Sequence, residues 1–403
     1  MIDSSVDNDD YGETIPLNDI SQSQIVENIT DHSLELTQNK IPNRPLRKFK
    51  YYFLFLLILS ISGLVSFITL IISSEKYQKQ INMINQSCYQ QLKHFNRHQF
   101  KSNLKWKQNA KTVAGGNGKG DNLNQLYYPR GIYIDHQQQH IYIADRTNHR
   151  IVKWKLGENS GQIVAGGNGE GNRIDQLNDP ANVIVDKNNE SLIICDYGNK
   201  RVVRWSLENS NDKQIIIQSI SCWGLMMNEN GDLFVSDEWN SAVKRWKKGE
   251  KEEEGTVVAG GNGKGNELNQ LNGPGFIFID REETVYVSDY YNHRVMKWFK
   301  GAKEGIVVAG GHGQGNSLNQ LYYPQGLIVN EVGDIYVADY WDNRTICWPF
   351  GSKEGYIIVG GNGGGNESNQ FRGPVGLLFD IENNLYVADQ SNNRIQQFEI
   401  DKT

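Results

Sequence analysis

Short apolar runs with a period of two residues recur through residues 107–400, and Gly or Pro separates one run from the next. In one copy the runs are 275–280, 284–289, 294–298 and 306–309. β-Branched and aromatic residues dominate these runs, which favours strands, whereas the period and the breakers argue against helices. Four short strands joined by tight turns predict one antiparallel blade of a β-propeller.

An acidic turn signature repeats six times and predicts the number of blades. An Asp closes the second strand, Asn follows three positions later in five copies, and Arg follows five positions later in five copies. Successive Asp residues lie 51, 41, 52, 50 and 50 positions apart, a period typical of repeat arrays. The Asp and Arg pairs are Asp145 and Arg150, Asp196 and Arg201, Asp289 and Arg294, Asp339 and Arg344, and Asp389 and Arg394, while the third copy has Asp237 and Ala242. We interpret these residues as structural partners across each turn, worth about 0–1 kcal/mol per pair if exposed.

The two ends of the repeat array are complementary. A spare fourth strand, Thr112–Gly116, precedes the first copy, and the last copy has only three strands. Pairing the two would remove exposed sheet edges. We therefore predict an all-β, six-bladed propeller of four-stranded antiparallel blades in which the N-terminal strand closes the last blade.

The order of residues within one copy resembles the NHL repeat. The fifth copy has Pro324-Gln325-Gly326, then Tyr336-Val337-Ala338-Asp339, then Asn343-Arg344, then Trp348. The resemblance covers six copies in register, and it implies a six-bladed propeller over residues 107–403. It does not select one activity, because NHL proteins include RNA-binding proteins, protein-binding proteins, extracellular sensors of receptor kinases and metal-dependent amidating lyases.

A charge-free apolar segment precedes the repeats. Residues 51–72 are 22 residues long, and as a helix they would span about 30 Å, enough to cross a bilayer. Four basic residues lie within 44–50, so the positive-inside rule predicts a type II signal anchor with a cytosolic N-terminus and an extracellular or lumenal propeller. Residues 1–48, with nine Asp and Glu, are predicted to be a disordered cytosolic tail. Residues 74–106 are predicted to be a basic stalk. We expect the protein to lie in the plasma membrane, with an endomembrane as the alternative.

Cysteines and sequons bear on the compartment and on the oligomeric state. Apolar residues at near-helical spacing surround Cys88 in the stalk, so a helix paired through an interchain disulfide, giving a homodimer, is one hypothesis. A bond between Cys195 and Cys222 of neighbouring blades also stays open, because sequence alone does not fix connectivity. The candidate glycosylation sites are Asn85, Asn189, Asn343 and Asn366, of which Asn343 lies in a tight turn.

Strand alternation places the Asp-closed turns and the loops between successive blades on one face, which we call the upper face. Five of these loops are Gly-rich and run 13 positions from the last Gly to Pro, a uniformity that indicates a structural role. One apolar residue per loop is predicted to plug it onto a neighbouring blade. These plug residues are Leu126, Leu177, Leu271, Leu321 and Phe371.

The connection from blade two to blade three lacks the Gly-rich loop, which predicts a notch in the upper face. Trp223, Glu238 and Trp239 are expected near this notch. Two tyrosine pairs in other loops, Tyr127-Tyr128 and Tyr322-Tyr323, add aromatic surface. Loops carry function more often than strands, and exposed aromatic residues favour binding, so these residues are the candidate binding set.

Two other activities remain as alternatives. A metal-dependent ectoenzyme of the amidating-lyase type would need converging histidines, for which the candidates are His149, His293 and His312. Their spacing predicts no zinc site, and we predict no cofactor. RNA binding would require inverted topology and a basic face, whereas residues 107–403 hold 30 Lys and Arg against 37 Asp and Glu. The sequence therefore predicts a membrane-anchored propeller that binds a protein, peptide or glycan and performs no chemistry.

Overall fold

The computed structural model describes residues 104–135, 139–188, 190–209, 211–249 and 254–402. The predicted tail, the predicted span at 51–72, Cys88, Asn85 and Asn189 lie outside these ranges. Within the described ranges, no helix has the length and apolar character needed to cross a membrane. Strands and four single 3-10 turns make up the regular structure of these ranges.

Six four-stranded antiparallel sheets form the blades of a propeller. The first strand of each blade packs beside the first strand of the next, and the ring closes between blade six and blade one. The first strands of the described ranges are β1 (Lys105–Trp106) and β2 (Lys111–Gly115). Blade one is β3 (Pro129–Asp135), β4 (His140–Asp145), β5 (Arg150–Lys155) and β6 (Gln162–Gly166), and blade two is β7 (Pro180–Asp186), β8 (Ser191–Asp196), β9 (Arg201–Ser206) and β10 (Lys213–Gln218).

The remaining blades repeat this plan. Blade three is β11 (Cys222–Met227), β12 (Leu233–Asp237), β13 (Ala242–Trp246) and β14 (Thr256–Gly260), and blade four is β15 (Pro274–Ile279), β16 (Val285–Asp289), β17 (Arg294–Trp298) and β18 (Ile306–Gly310). Blade five is β19 (Pro324–Val329), β20 (Ile335–Asp339), β21 (Arg344–Trp348) and β22 (Tyr356–Gly360), and blade six is β23 (Pro374–Phe379), β24 (Leu385–Asp389), β25 (Arg394–Phe398) and β2. The 3-10 turns are Arg146–Asn148, Tyr197–Asn199, Tyr290–Asn292 and Gln390–Asn392. The predicted fold class, six four-stranded blades, is confirmed for the propeller.

The propeller is closed by two pairings between its first strands and its last strands. β2 pairs antiparallel with β25, from Lys111 opposite Gln397 to Gly115 opposite Arg394, which confirms the predicted closure. Outside it, β1 pairs with β26 (Ile400–Asp401). Trp106 is buried in the core, where its ring stacks on Phe379 at 5.6 Å. The propeller therefore includes the last residues of the stretch that the sequence assigned to the stalk.

The predicted plug residues hold each Gly-rich loop against the interface between two blades. All five are fully buried: Leu126, Leu177, Leu271, Leu321 and Phe371. Leu126, for example, packs with Ile141 of blade one and with Tyr386 and Ile395 of blade six. Burying a Leu side chain is worth roughly 1.5–3 kcal/mol, so the plugs tie neighbouring blades together.

Glycine is required where each loop leaves its blade. Gly310, at the end of β18, has φ +66°, and a Cβ there would lie 2.5 Å from the carbonyl oxygen of His293. Any other residue would combine an unfavourable φ with a backbone clash. The Gly-rich character of these loops thus has a geometric cause.

Each Asp-closed turn is held by buried side chains, and blade four shows the pattern. Arg294 Nε donates to Asp289 Oδ2 at 2.7 Å, and Asn292 Nδ2 donates to the same oxygen at 2.8 Å. Asp289 Oδ1 accepts the backbone N–H of Asn272 at 2.6 Å. Burial raises the pKa of Asp289, although these hydrogen bonds oppose the rise. We call the Asp, the residue three positions later and the Arg five positions later the turn lock.

The turn lock also fixes the Gly-rich loop that precedes it. Arg294 Nη1 donates to the carbonyl oxygen of Asn266 at 2.8 Å, and Nη2 donates to those of Glu267 and Gln270 at 3.0 and 3.2 Å. The corresponding bonds recur at Arg150, Arg201, Arg344 and Arg394. The Asp and Arg pair as the sequence predicted, but they are buried rather than exposed.

Blade three departs from this pattern in a consistent way. Ala242 replaces the Arg, and Asp237 accepts a hydrogen bond from Asn240 Nδ2 at 2.6 Å and lies 3.4 Å from Lys244 Nζ. The Gly-rich loop whose carbonyls the Arg would bind is missing here. Loop and Arg are therefore absent together, because each is the partner of the other.

A disulfide occupies the interface where the loop is missing. Cys195 of β8 and Cys222 of β11 are bonded, with Cα atoms 5.5 Å apart, and the cross-link joins blades two and three. Ile220 packs with both cysteines in the same buried cluster. Cys347 is free and buried. The pairing that the sequence left open is thus present in the structure.

Candidate functional site

The upper end of the central channel is lined by the second residue of each first strand. These six residues, which we call the axial ring, are Arg130, Ala181, Trp223, Gly275, Gln325 and Val375. All are buried. Trp223 and Val375 share a cluster with Phe276, although they come from blades three, six and four. Contact between blades that are not neighbours places this cluster on the propeller axis.

Arg130 is the charged member of the axial ring. Its guanidinium lies over the Trp223 ring, with Cζ 3.7 Å from the ring centroid, and the side chain is 5% exposed. Its Nε has no hydrogen-bond partner among the residues that the structure describes. Burial, followed by the charge of Arg146, lowers the pKa of Arg130 from its ordinary value to about 10, although Tyr197 and Glu238 act in the opposite direction.

An acid and a phenol connect the axial ring to the notch. Tyr197 donates its hydroxyl to Glu238 Oε2 at 2.6 Å, and its ring meets the Trp223 ring edge-on at 6.0 Å. Burial, followed by the Glu238 carboxylate, raises the pKa of Tyr197 to about 12. The hydroxyl is therefore protonated at neutral pH and donates to Glu238, whose charge acts on Arg130 although the two side chains form no ion pair in the described part of the chain.

Two clefts open where the Gly-rich loop is missing, and Trp239 forms the ridge between them. The Trp239 side chain is 79% exposed, and Lys200 Nζ lies 5.2 Å from its ring centroid. The outer cleft, of about 570 Å³, is lined by Asn172, Asn199, Lys200, Arg201, Ile215, Gln218, Ser219, Ser221, Trp239 and Asn240. The inner cleft, of about 540 Å³, is lined by Tyr197, Gly198, Lys200, Ser221, Glu238, Trp239, Ser241, Lys264, Asn272, Gly273 and Tyr291. A notch thus lies at the place where the sequence predicted it.

An aromatic surface continues from the axial ring across blades four and five. Tyr290 lies 5.6 Å from Trp223 and stacks on Tyr323 at 4.6 Å between ring centroids. Tyr322 contacts Tyr323 at 5.0 Å and Trp341 at 5.7 Å. The candidates Tyr322 and Tyr323 therefore belong to one continuous set of aromatic contacts, which Tyr290 joins to Trp223. Trp223 itself is buried, at 7% exposure, rather than exposed as the sequence predicted.

The other tyrosine pair lies apart from this surface. The rings of Tyr127 and Tyr128 contact each other at 5.3 Å, and Lys119 Nζ lies 5.6 Å from the Tyr127 ring. The backbone N–H of Tyr127 donates to Asp145 of the turn lock at 2.7 Å. The position of this pair is set by the loop structure, and the structure does not bring it together with Trp239.

Sequence reasoning missed several residues of this region. The sequence did not identify Arg130 and Gln325 as candidates, because the second residue of the first strand changes from blade to blade and so carries no repeat signal. Tyr290 and Trp341 lie in the Asp-closed turns. The available signal was their position, since Trp341 and Trp239 both lie two residues after the turn Asp.

The candidate histidines have other partners. Nδ1 of His149 accepts the backbone N–H of Asp179 at 3.1 Å, and Nδ1 of His293 accepts that of Tyr323 at 3.2 Å. His312 is exposed in a Gly-rich loop. Within the described ranges, no three or more His, Cys, Asp or Glu side chains are grouped so that they could hold a metal ion.

The lower end of the channel differs in chemistry from the upper end. It opens into a cavity of about 600 Å³ lined mainly by apolar residues of the first strands, among them Ile132, Leu225, Ile277, Leu327 and Leu377. The upper end combines aromatic rings, amides, hydroxyls and one buried cation. A polar ligand is therefore matched by the upper face.

These features define the class of protein: a six-bladed β-propeller with a notched, aromatic upper face. The NHL repeat model matches residues 126–154, which reach from the first plug residue to the third strand of blade one. No curated protein matches the chain by sequence.

Solved structures share the fold at low sequence identity. A protein of unknown function from Bacteroides thetaiotaomicron has a TM-score of 0.58 at 17% identity, covering 74% of this chain and 77% of that chain. Auxiliary nutrient binding proteins from Bacteroides thetaiotaomicron and Bacteroides ovatus have TM-scores of 0.57 and 0.55 at 15% and 13% identity, each covering 74% of this chain and 78% of that chain. At such identities the likeness establishes the propeller fold and no activity.

Proposed function

We propose that this protein is a membrane-anchored binding module that displays its propeller outside the cytosol and recognises a saccharide in the notch of the upper face. The observation that carries the proposal is Trp239, an indole that is 79% exposed between two clefts. A large aromatic ring so exposed on a rigid scaffold is typical of a binding surface. Catalysis forms no part of this proposal.

The lining of the notch favours a saccharide over a peptide. Amide and hydroxyl side chains dominate the outer cleft, and they match the paired donors and acceptors of sugar hydroxyls. Trp239 offers an apolar ring to the apolar face of a sugar ring. An extended peptide would instead add to an exposed strand edge. In blade two, β10 is the edge strand, and only Ile215 and Gln218 of that strand line the cleft.

The disulfide supports an extracytosolic propeller. Disulfides persist in secreted, lumenal and cell-surface proteins and are rare in the cytosol. Cys195 and Cys222 lie in the propeller itself, so the oxidising compartment would be the one that contains the blades. This agrees with the type II orientation that the basic residues before the predicted span favour.

The first prediction concerns topology. In the full chain expressed in cells, we expect Asn366 to carry a glycan, because its side chain is exposed in a Gly-rich loop. Asn343 should stay unmodified, because its Oδ1 accepts the N–H of Gly373 at 2.9 Å and its Nδ2 donates to the Trp341 carbonyl at 3.1 Å. Mass before and after glycosidase treatment, for the wild type and for Asn366→Gln and Asn343→Gln, measures both.

Peptide mapping and protease protection complete this test. Non-reducing mapping should recover Cys195 linked to Cys222, with Cys347 as a free thiol. Full digestion of the propeller by protease added to sealed microsomes would contradict the proposed topology. That result would direct the search to cytosolic partners, including RNA.

The second prediction concerns binding. We expect Trp239→Ala to weaken the binding of the best neutral oligosaccharide by about 30-fold, as for a central hot-spot residue worth about 2 kcal/mol. Screening the purified full chain in detergent on an oligosaccharide array identifies the ligand, and isothermal titration gives the Kd of each variant.

Trp341→Ala is the matched control for this experiment. Trp341 occupies the same repeat position in blade five, is exposed, and lines neither cleft. Trp341→Ala should change the Kd of the same oligosaccharide by less than about 3-fold. Equal losses in the two variants would move the site from the notch to the aromatic surface of blades four and five. An unchanged Kd in Trp239→Ala would refute the proposed site.

A further inference from the structure

We infer that the axial ring binds the carboxylate of an acidic sugar, with Arg130 and Trp223 as its hydrogen-bond donors and Gln325 as an acceptor for a neighbouring hydroxyl. The inference rests on the proposed function in one respect, namely that the ligand is a saccharide. The anion site itself is argued from the buried polar atoms of the axial ring.

Arg130 is a buried cation without a counterion. It forms no ion pair among the described residues, and its Nε has no hydrogen-bond partner. Glu238 acts on Arg130 through its charge but makes no direct contact with it, and its Oε2 accepts the Tyr197 hydroxyl. A buried charge that lacks a partner is costly to the folded protein. An anionic ligand would supply the missing partner.

Two further polar atoms in the ring lack partners. Trp223 Nε1 and Gln325 Oε1 are buried without a hydrogen bond, in side chains that are 7% and 3% exposed. Buried polar atoms are nearly always hydrogen-bonded, and three of the thirteen that lack a partner among the described residues fall within these six positions. Their concentration at one end of the channel points to a ligand. Two are N–H groups and one is a carbonyl oxygen.

This set of atoms defines the chemistry of the ligand. A guanidinium binds a carboxylate through two parallel N–H···O bonds, and the indole N–H donates a third. The Gln325 oxygen accepts only from a donor, which a hydroxyl beside the carboxylate provides. Sugar acids carry a carboxylate and hydroxyls on one ring. The aromatic rings of Trp223, Phe276 and Tyr290 face this region and match the C–H face of such a ring.

The ring is adjacent to the proposed saccharide site. Tyr197 lines the inner cleft together with Trp239, and its ring touches Trp223. A saccharide in the inner cleft would therefore present its terminal residue to the axial ring. The propeller has a net charge of −7 over residues 107–403, which disfavours a polyanionic chain and favours a single terminal acid.

The experiment titrates the full chain in detergent with sodium glucuronate and, as the neutral counterpart, glucose, and follows tryptophan fluorescence. We expect glucuronate to bind at least ten times more tightly than glucose. Arg130→Gln should bring the ratio of the two Kd values close to one. Arg281→Gln, which changes an arginine that is exposed outside the ring, should leave the ratio unchanged.

The outcomes separate this inference from the proposed function. If the wild type shows no preference for glucuronate, or if Arg130→Gln keeps the preference, the acid site is refuted, even where Trp239 is needed for a neutral oligosaccharide. If Trp239→Ala changes the binding of no oligosaccharide but Arg130 sets a preference for glucuronate, the saccharide site in the notch is refuted and the carboxylate site in the axial ring is supported. A blocked tripeptide with a free terminal carboxylate that binds more tightly than glucuronate would refute the assignment to sugars.

A stability measurement distinguishes a ligand-binding residue from a structural plug. Without ligand, Arg130→Met should melt at the same temperature as the wild type or higher, because a buried charge without a partner is replaced by an apolar side chain of similar length. A melting temperature lowered by more than about 5 °C, a change comparable to a lost core contact, would assign Arg130 a structural role and overturn the inference.

Discussion

Replacing Arg294 with alanine is expected to lower the free energy of unfolding by about 3–5 kcal/mol, the range for breaking a buried ion pair by removal of one partner. Arg294 Nε contacts Asp289 at 2.7 Å, and its two Nη atoms hold three loop carbonyls. The variant leaves the Asp289 carboxylate fully buried with fewer partners, and it leaves the carbonyls of Asn266, Glu267 and Gln270 without their donor. Urea denaturation of the full chain in detergent, followed by tryptophan fluorescence, measures the change.

Arg281→Ala is the control in the same blade. Arg281 is exposed, and its nearest carboxylates, on Glu229 and Glu331, lie 3.7 and 3.9 Å away. Exposed pairs of this kind contribute about 0–1 kcal/mol, so this variant should unfold close to the wild type. Equal effects of the two substitutions would mean that the turn lock contributes no more than a surface pair.

Blade three explains why the repeat tolerates one missing Arg. The three carbonyls that Arg294 binds belong to a Gly-rich loop, and blade three has neither that loop nor the Arg. Asp237 instead lies near Lys244 Nζ. The sequence shows the missing loop and Ala242 as two departures from the repeat in the same blade, and the structure gives the physical link, because the missing Arg would have bound the carbonyls of the missing loop.

The fold was predictable because its determinants repeat. Strand period, turn chemistry and plug residues recur in register, and together with the closing strand they all indicate the same fold. The edge of the domain was less predictable: Trp106 fills a core position, but it lies on a two-residue strand that no other copy contains.

The candidate site was predictable only where it breaks the repeat. The missing loop pointed to Trp239 and Glu238, since a deletion stands out against five uniform loops. The axial ring gave no such signal, because a position that differs in every blade has no consensus to violate. The sequence also did not predict that the Asp and Arg of the turn lock are buried, since their spacing alone does not show that a loop covers the pair.

Replacing Asp342 with asparagine is expected to stabilise the protein by about 2–4 kcal/mol at pH 8. All five other blades have Asn at this position. In four of them its Nδ2 donates both to the turn Asp and to a loop carbonyl, as Asn292 does to Asp289 and Gly265. A carboxylate cannot donate, and the buried Asp342 Oδ2 has an ion-pair contact, 3.6 Å from Arg344 Nη2, in place of those hydrogen bonds. Blade five therefore places two carboxyl groups where the others place a carboxyl and an amide.

The effect depends on pH, with a sign set by the raised pKa. Burial, opposed by Arg344 and reinforced by Asp342, raises the pKa of Asp339 from 3.8 to about 7. Burial also raises the pKa of Asp342. The folded state thus holds a proton that the unfolded chain releases near pH 4, so the contribution of this pair to stability is full below pH 4 and is lost as pH rises to about 7. Since one pH unit of displacement corresponds to about 1.4 kcal/mol, the loss at Asp339 approaches about 4 kcal/mol, of which burial causes the largest part and Asp342 a smaller part.

Unfolding curves at about pH 4.5, 6 and 8 for the wild type and Asp342→Asn measure this dependence. These values span the interval between the ordinary pKa of Asp339 and its raised pKa in the folded state. The difference between the two should be small at the lowest pH and largest at pH 8. The converse variant, Asn292→Asp in blade four, should be destabilised at pH 8 and approach the wild type in acid. If Asp342→Asn has the same effect at every pH, the two carboxyl groups do not share a proton. The gain would then come only from the restored hydrogen bond to the loop, and the raised pKa of Asp339 would have no consequence for folding.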